Sequence, residues 1–363
     1  MAVETQMNQF HSLTVSDLRR ETRDSISLAF DIPEDLAQSY QFKQGQFLTL
    51  RTQIDGQEVR RSYSICSGVQ DNEMRVGIKR VPDGLFSTFA NDSIKVGDVL
   101  EVMPPLGHFY SELDPARHGD YLLVAAGSGI TPILSIAKTT LATEPHSNVT
   151  LLYGNRSTSS TMFRDQLADL KNTYMGRLNL IFVLSREQQD IDLYNGHIDA
   201  DKCRALFARW VNVKTLAGAF ICGPQSMTEM VRDILKESGT PEENIHFELF
   251  AAAGNERKRE ERAQAAPNAD MSQITVIRDG HAMSFDLKQN TENLLNAGNE
   301  HGADLPFSCR AGVCSTCKCK VVEGEVDMDI SIGLEDYEVE AGYVLSCQSY
   351  PVSKKVVLDF DQV

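Results

Sequence analysis

Four of the chain's eight cysteines fall within eleven residues, Cys309, Cys314, Cys317 and Cys319 in CRAGVCSTCKC. Four thiolates fill a tetrahedral zinc site, so zinc is the first chemistry to weigh. Structural zinc sites usually join two Cys-x2-Cys-like knuckles from separate hairpins, and one compressed run matches that poorly. A different grouping fits better. Cys309, Cys314 and Cys317 read C-x4-C-x2-C, and Cys347 follows after 29 intervening residues in GYVLSCQSYP. That spacing holds a 2Fe-2S cluster. Ala311, Gly312 and Ser315 let a loop wrap closely and aim backbone N–H groups at sulfur, and a remote fourth ligand closes the site. Cys319 opens the apolar run CKVV and reads as a small buried residue. Zinc or an inert cysteine-rich loop stands as the alternative.

The stretch ADLPFSCRAGVCSTCKCKVVEGEVDM, with GYVLSCQSYP behind it, resembles a plant-type ferredoxin domain. The resemblance implies a β-grasp fold with the cluster near the surface at one end. Such a cluster carries one electron, so something upstream must supply electrons singly. RRSYSICS resembles the Arg-x-Tyr-Ser motif of the ferredoxin–NADP reductase superfamily, here Arg61, Ser62, Tyr63 and Ser64. An arginine fork suits the FAD pyrophosphate, a tyrosine ring stacks on the isoalloxazine, and a serine bonds its edge. An edge strand with alternating polar residues is the plainer reading. In the superfamily, GIKRVPDGLFSTF carries a phosphate-binding turn, which maps to Lys79, Gly84, Phe86 and Ser87. Gly84 is expected to permit the tight turn that brings N–H groups to phosphate.

LLVAAGSGITPIL reads as a strand, a turn at Gly127 and Gly129, and a helix with Pro132 in its first turn. Such a helix N-terminus favours phosphate. By resemblance Thr131 reaches toward the flavin and nicotinamide rings, and ICGPQSM places Cys222, Gly223 and Pro224 beside the nicotinamide. For Cys222 a buried core thiol is the rival reading. Phe250, closing HFELF, maps to an aromatic against the flavin, or is a core phenylalanine. A 2′-phosphate wants Arg or Lys nearby. Arg156 in YGNRS and Ser185 and Arg186 in LSRE resemble such positions, whereas Gly196-His197 replaces the Gly-Arg of many relatives. NADPH is favoured over NADH.

The elements that must position these residues change character along the chain. HSLTVSDLRR, SISLAFDIP, GQFLTLRTQIDG, RRSYSIC and MRVGIKRV are short strands punctuated by turns, which predicts an antiparallel β-barrel over residues 8–112. Strands at YLLVAA, NVTLLYGN, LNLIFVLSR and GAFICG alternate with helices near Thr161–Tyr174 and Ser226–Ser238. That alternation predicts a Rossmann-like parallel α/β domain over 113–250. AAAGNERKREERAQAAPNADM has almost no large apolar residues and reads as a linker over 251–271. A ferredoxin domain is expected over 272–363, with a hairpin-like pair at QITVIRDG and AMSFDL, a short helix in TENLLNAGNEHG and a last strand at KKVVLDF.

The net charge of −16 argues against nucleic acid, whose phosphates demand a basic surface. Residues 271–363 hold 15 acidic and 7 basic side chains, a net of −8, which marks the C-terminal quarter as a separate module. The polar start MAVETQMNQF lacks the regions of a signal peptide, and no apolar run reaches a membrane span of roughly 20 residues. A cytoplasmic location is expected, and eight cysteines in a reducing compartment point to metal or redox chemistry.

Over essentially its whole length the chain resembles the reductase components of multicomponent oxygenases. FHSLTV, LEVMPPLGHF, AAGSGITPIL, FICGP and AGYVLSCQ belong to that likeness. It implies FAD, a 2Fe-2S cluster, a nicotinamide donor and a di-iron oxygenase partner acting on an aromatic coenzyme A thioester. The cofactors carry the chemistry, so no catalytic His or carboxylate is expected. A reductase for a steroid hydroxylase or fatty-acid desaturase shares the motifs, and a redox sensor is the remoter rival. Glu323–Glu340 carries eight acidic and no basic residues, which suits either steering of a basic partner or simple solvation.

Overall fold

A computed structural model describes residues 9–250, 262 and 270–362. The linker expected at 251–271 therefore lies outside the described residues except for Arg262, Asp270 and Met271.

The N-terminal sheet contains β1 (His11–Thr22), β2 (Ser25–Asp31), β3 (Phe47–Ile54), β4 (Gln57–Ser64), β5 (Met74–Lys79) and β6 (Val99–Val102). Helix α1 (Leu85–Asp92) lies between β5 and β6. The strand order is β4-β3-β6-β1-β2-β5. The Ile65–Val76 bridge and the Cys66 N–H bond to the Arg75 carbonyl (2.8 Å) join the two outer strands and close the barrel. Asp55 and Gly56 both have positive φ, the geometry of a two-residue hairpin turn whose twist matches its strands. Inward-facing Leu13, Ile26, Leu28, Leu48, Leu50, Val76 and Ile78 are fully buried and form the barrel core.

The next region alternates β7 (Asp120–Ala126), α2 (Ile130–Thr143), β8 (Asn148–Asn155), α3 (Arg164–Thr173) and β9 (Leu178–Leu184). It continues through α4 (Ala200–Trp210), β10 (Leu216–Gly223), α5 (Gln225–Glu237) and β11 (Ile245–Leu249). The sheet is parallel in the order β11-β10-β7-β8-β9. The chain moves outward from β7 to β9, then returns to the other side of β7 at β10. That leaves the topological switch point between β7 and β10, where such sheets bind ligands beyond the strand C-termini. Helix α3 starts later than its sequence pattern implies because Phe163, the residue before it, is left-handed (φ 57°) and buried.

Barrel and sheet belong to one compact unit and are bonded together. The Ser135 hydroxyl donates to the Ser67 carbonyl (2.7 Å), and the Val69 N–H donates to Thr139 Oγ1 (3.1 Å). Gly77 on β5 leaves the room that Thr131 and Phe163 fill, since a Cβ there would stand 2.6 Å from Thr131 Cγ2.

The C-terminal region holds β12 (Met271–Arg278), β13 (His281–Lys288), α6 (Leu294–Glu300), β14 (Lys318–Glu323) and β15 (Val326–Met328). It ends with α7 (Asp336–Glu340), β16 (Tyr343–Leu345), β17 (Ser349–Pro351) and β18 (Lys355–Asp359). Five strands order as β13-β12-β18-β14-β16, with β12 and β18 parallel, and β15 pairs with β17. Asp279-Gly280 makes the same two-residue hairpin turn. The Asn293 side chain accepts from the Asn296 N–H (2.9 Å) and caps α6, whose Leu294 and Leu295 fill the core against Ile274, Leu345 and Leu358. This is the expected mixed sheet with a helix packed on it.

Candidate functional site

The cysteine loop is built from backbone that few residues adopt. Arg310, Gly312 and Ser315 all have positive φ, which turns successive N–H groups inward. Gly312 has a second reason to lack a side chain: a Cβ would lie 2.8 Å from Ile330 Cγ2 and 2.9 Å from Gln348 Cγ. The Ala311 N–H donates to Cys309 Sγ (3.3 Å), and Cys309 N–H donates to Cys314 Sγ (3.5 Å). Gln348 Nε2 donates to Cys347 Sγ (3.5 Å). Donors to sulfur are what a thiolate-held cluster needs around it.

The thiols form two interacting pairs, Cys309 with Cys314 and Cys317 with Cys347. The Cys314 partner and the surrounding N–H groups pull the Cys309 thiol down to about 6. The partner thiol, then burial, pushes Cys314 and Cys317 up. Among the described residues no three His, Cys, Asp or Glu side chains converge on one ion position. Four thiols, three on one tight loop and one on a remote segment, with N–H groups aimed at their sulfurs, are the surroundings a 2Fe-2S cluster needs. The donor set therefore fits 2Fe-2S. Cys319 is fully buried beside Val344 and Leu345 in the domain core, with its thiol pushed up by burial.

On the barrel, Arg61 is exposed, Ser62 and Tyr63 half-buried and Ser64 buried. The Tyr63 ring stands 5.5 Å from that of Phe86. Lys79 is half-buried, 3.9 Å from Asp24. Gly84 sits in a tight turn with φ −77°, and the positive φ there belongs to Asp83. A Cβ on Gly84 would sit 2.3 Å from Val81 Cγ2 and 2.5 Å from Ser87 Oγ. The Ser87 hydroxyl donates to the Gly84 carbonyl (3.1 Å) and accepts from the Val81 N–H (3.2 Å), so it is occupied by the turn. The Phe86 ring lies in the barrel core. What α1 presents to a phosphate is its uncapped first turn of backbone N–H groups. An exposed arginine such as Arg61 and an uncapped helix start are both groups that suit a pyrophosphate.

At the switch point, Gly127 (φ 56°) and Gly129 carry the chain from β7 into α2, whose N-terminus has no side-chain cap. A Cβ on Gly129 would lie 2.2 Å from the Cys222 carbonyl oxygen. Only glycine lets the turn seat against the end of β10. The Thr131 hydroxyl donates to the Ser128 carbonyl (3.0 Å). Gly223 and Pro224 follow β10 and lead into α5. Arg156 and Ser185 directly follow the neighbouring β8 and β9, and the Arg186 N–H donates to the Arg156 carbonyl (2.7 Å). Both arginines are exposed, and this backbone bond joins them just beyond the strand C-termini. Uncapped helix and paired cations fit a dinucleotide carrying an extra phosphate. His197 is exposed beside Gly196 (φ 93°). The Cys222 thiol is fully buried, and burial holds its proton on. Phe250 is 40% exposed and so is no core residue.

One residue at this site was not anticipated. Glu248 on β11 pairs in register with Cys222, and its carboxyl is the acceptor for the Ser64 hydroxyl (3.3 Å). Burial pushes it up to about 8, against that hydrogen bond. The strand thus sets a carboxylic acid between the Arg-x-Tyr-Ser motif and the nucleotide turn. A folded value above the unfolded one means that native protein binds the extra proton between about pH 4.5 and 8. Stability therefore falls as pH rises through that window. Glu248→Gln removes that loss; denaturant midpoints of both proteins at pH 5 and 8 measure it.

Three family models match the chain: an oxidoreductase FAD-binding domain over residues 12–110, an oxidoreductase NAD-binding domain over 123–233, and a 2Fe-2S iron-sulfur cluster binding domain over 276–352. A component of the 1,2-phenylacetyl-CoA epoxidase of Escherichia coli (strain K12) is 46% identical over 355 residues, covering 98% of this chain and 99% of that protein. The ferredoxin reductase component of 3-ketosteroid-9-alpha-monooxygenase from Rhodococcus rhodochrous is 34% identical over 96% of each chain. Among solved structures, phthalate dioxygenase reductase, described as a modular structure for electron transfer from pyridine nucleotides to 2Fe-2S, superposes with a TM-score of 0.60 at 25% identity, over 98% of this chain and 99% of that one. The chain belongs to the family of oxygenase reductase components that join an FAD-binding and an NAD-binding oxidoreductase domain to a 2Fe-2S domain.

Proposed function

We propose that this reductase passes electrons from NADPH to a di-iron oxygenase that epoxidises the ring of phenylacetyl-coenzyme A. The observation that carries the electron-transfer reading is the cysteine loop whose N–H groups donate to Cys309 Sγ and Cys314 Sγ, with Gln348 donating to Cys347 Sγ, inside the matched 2Fe-2S domain; the pathway rests on the 46% identity over nearly the whole chain. FAD held by the barrel residues would supply hydride acceptance and one-electron release, and a 2Fe-2S cluster held by Cys309, Cys314, Cys317 and Cys347 would supply a one-electron relay. The protein's part is to bind, orient and shield.

In this reading the α1 turn with Lys79, Gly84, Phe86 and Ser87 receives the FAD phosphates, and Arg61 pairs with them. Ser62, Tyr63, Ser64, Thr131 and Phe250 enclose the ring system. Gly127, Gly129, Thr131, Cys222, Gly223 and Pro224 shape the nicotinamide cleft, with Glu248 holding a proton at its wall. The domain limits are 8–112, 113–250 and 272–363, joined by 251–271. No described helix is long and apolar enough to cross a membrane; none of the eight cysteines is in a disulfide, which supports the reducing cytoplasm as its location.

Arg156, Ser185 and Arg186 select the 2′-phosphate. Arg186→Ala is expected to raise KM for NADPH about tenfold while leaving KM for NADH within about twofold, as loss of one charge-assisted phosphate contact predicts. Glu323–Glu340 steers a basic partner. Its signature is an oxygenase-coupled rate that falls with salt while NADPH oxidation by a small acceptor does not; a coupled rate indifferent to salt removes the steering. The pathway itself is tested by reconstitution with purified oxygenases. Epoxidation of phenylacetyl-coenzyme A at the expense of NADPH supports it, and turnover only with a steroid hydroxylase transfers the assignment there.

A further inference from the structure

Gly333 stands where the acid-rich stretch before α7 packs on the cysteine loop. Its N–H donates to the Gly312 carbonyl (2.9 Å). A Cβ on it would lie 2.9 Å from the Ser315 nitrogen, 3.1 Å from the Val313 carbonyl carbon and 3.2 Å from the Cys314 nitrogen. All three are backbone atoms of the loop, and none can rotate aside. The φ of Gly333 lies outside the left-handed region, so no special turn requires glycine here. The contact does.

The Val313–Cys314 peptide beneath it carries chemistry. The N–H groups of Ala311, Val313 and Cys314 all bond to the Cys309 sulfur. Hydrogen bonds to cluster sulfur stabilise an added electron and so raise a reduction potential. The stretch that bears Gly333 is pinned on both sides. The Asp329 N–H donates to the Gln348 carbonyl (3.0 Å) and the Leu334 N–H to the Ser331 carbonyl (2.8 Å). Glu338 in α7 pairs with Lys318 (2.9 Å), with both side chains largely buried. A methyl group forced in at 2.9 to 3.2 Å therefore shifts the loop by a few tenths of an ångström. That spoils N–H bonds to sulfur without unseating the loop.

We propose that Gly333 is a positioning residue for the iron site: its missing side chain lets the stretch before α7 seat the N–H donors of residues 313–315 against the Cys309 sulfur, and so sets the reduction potential of that site. The inference rests on the reading of Cys309, Cys314, Cys317 and Cys347 as cluster ligands.

Reductive titration of the cofactor-loaded protein with dithionite, read by electron paramagnetic resonance at low temperature, tests it without NADPH or an oxygenase. Gly333→Ala keeps its iron, and its reduction equilibrium falls at least about threefold, about 28 mV for one electron. After exchange into deuterium oxide, the pulsed-resonance signal of deuterons near the reduced iron weakens too, which a general loss of stability does not produce. Gly302→Ala is the control. Its added carbon meets nothing within 4 Å and its φ is 90°, so it lowers the melting temperature and leaves the potential in place. A potential unchanged or raised in Gly333→Ala overturns the positioning role, as does an equal fall in Gly302→Ala. Iron lost from Gly333→Ala overturns it as well, because the contact then holds the loop together rather than tuning it. A dithionite-reduced parent with no two-iron signal instead overturns the ligand reading on which the inference stands.

Discussion

A Cys347→Ser protein is expected to lose its iron, or hold it in a grossly altered site, while NADPH still reduces its flavin at a rate within about twofold of the parent. Electron delivery to a one-electron protein acceptor should fall by at least about 100-fold, because the remaining route bypasses the only iron relay. The reason is geometric. In the proposed ligand set Cys347 is the one thiol that the loop does not supply, and its interaction with Cys317 helps push that thiol up. Hydroxyl oxygen replaces a soft thiolate poorly on iron. Cys319→Ser is the control. Its side chain packs in the core, so it should keep a full complement of iron and the parent visible spectrum, at a stability cost of about 1–3 kcal/mol for the buried hydroxyl. Iron analysis and absorption spectra of the two variants separate the cases.

Gly129→Ala is expected to damage the nucleotide site out of proportion to one methyl group. The added carbon would lie 2.2 Å from the Cys222 oxygen and 2.6 Å from its carbon. Both are backbone atoms of a central strand, and neither can rotate aside. The start of α2 must move off β10, which opens the switch point, costs roughly 1–3 kcal/mol of stability and weakens NADPH binding at least about tenfold. Gly127→Ala meets nothing within 4 Å and pays only for its left-handed backbone, about 1 kcal/mol. Titration of each variant with NADPH, alongside thermal denaturation, tests the contrast. Similar losses in both would show that conformational freedom, rather than the contact with Cys222, is what Gly129 provides.

Local information carried the sequence reading where it succeeded. The Cys-x4-Cys-x2-Cys loop and the Asp-Gly turns are decided by neighbours, so spacing and residue type reveal them. The change from strand-and-turn to strand-and-helix rhythm near Tyr121 likewise follows from periodicity. What the sequence hid depends on distant partners. Glu248 sits in HFELF with polar and apolar residues alternating, which reads as a carboxylate turned to water. Only the register of β11 against Cys222 and the approach of Ser64 draw it partly out of water. Gly84 was legible as part of a tight turn, but the crowding by Val81 and Ser87 that leaves no room for a side chain there was not. The Phe86 ring belongs to the barrel core, a fate that its motif does not distinguish from ligand contact. Arg262 looks like one charge among many in its segment, because its acceptors lie 28 to 67 residues away.

Electrons, in this reading, enter in pairs at a flavin and leave singly through iron held by Cys309, Cys314, Cys317 and Cys347. Anaerobic titration of the cofactor-loaded protein with NADPH, followed by electron paramagnetic resonance at low temperature, addresses that path without an intermediary. NADPH alone should raise the signal of a singly reduced two-iron cluster, and that signal should be missing from Cys347→Ser. A protein whose flavin bleaches fully with no iron signal, or which holds zinc in place of iron, would contradict the path from flavin to cluster.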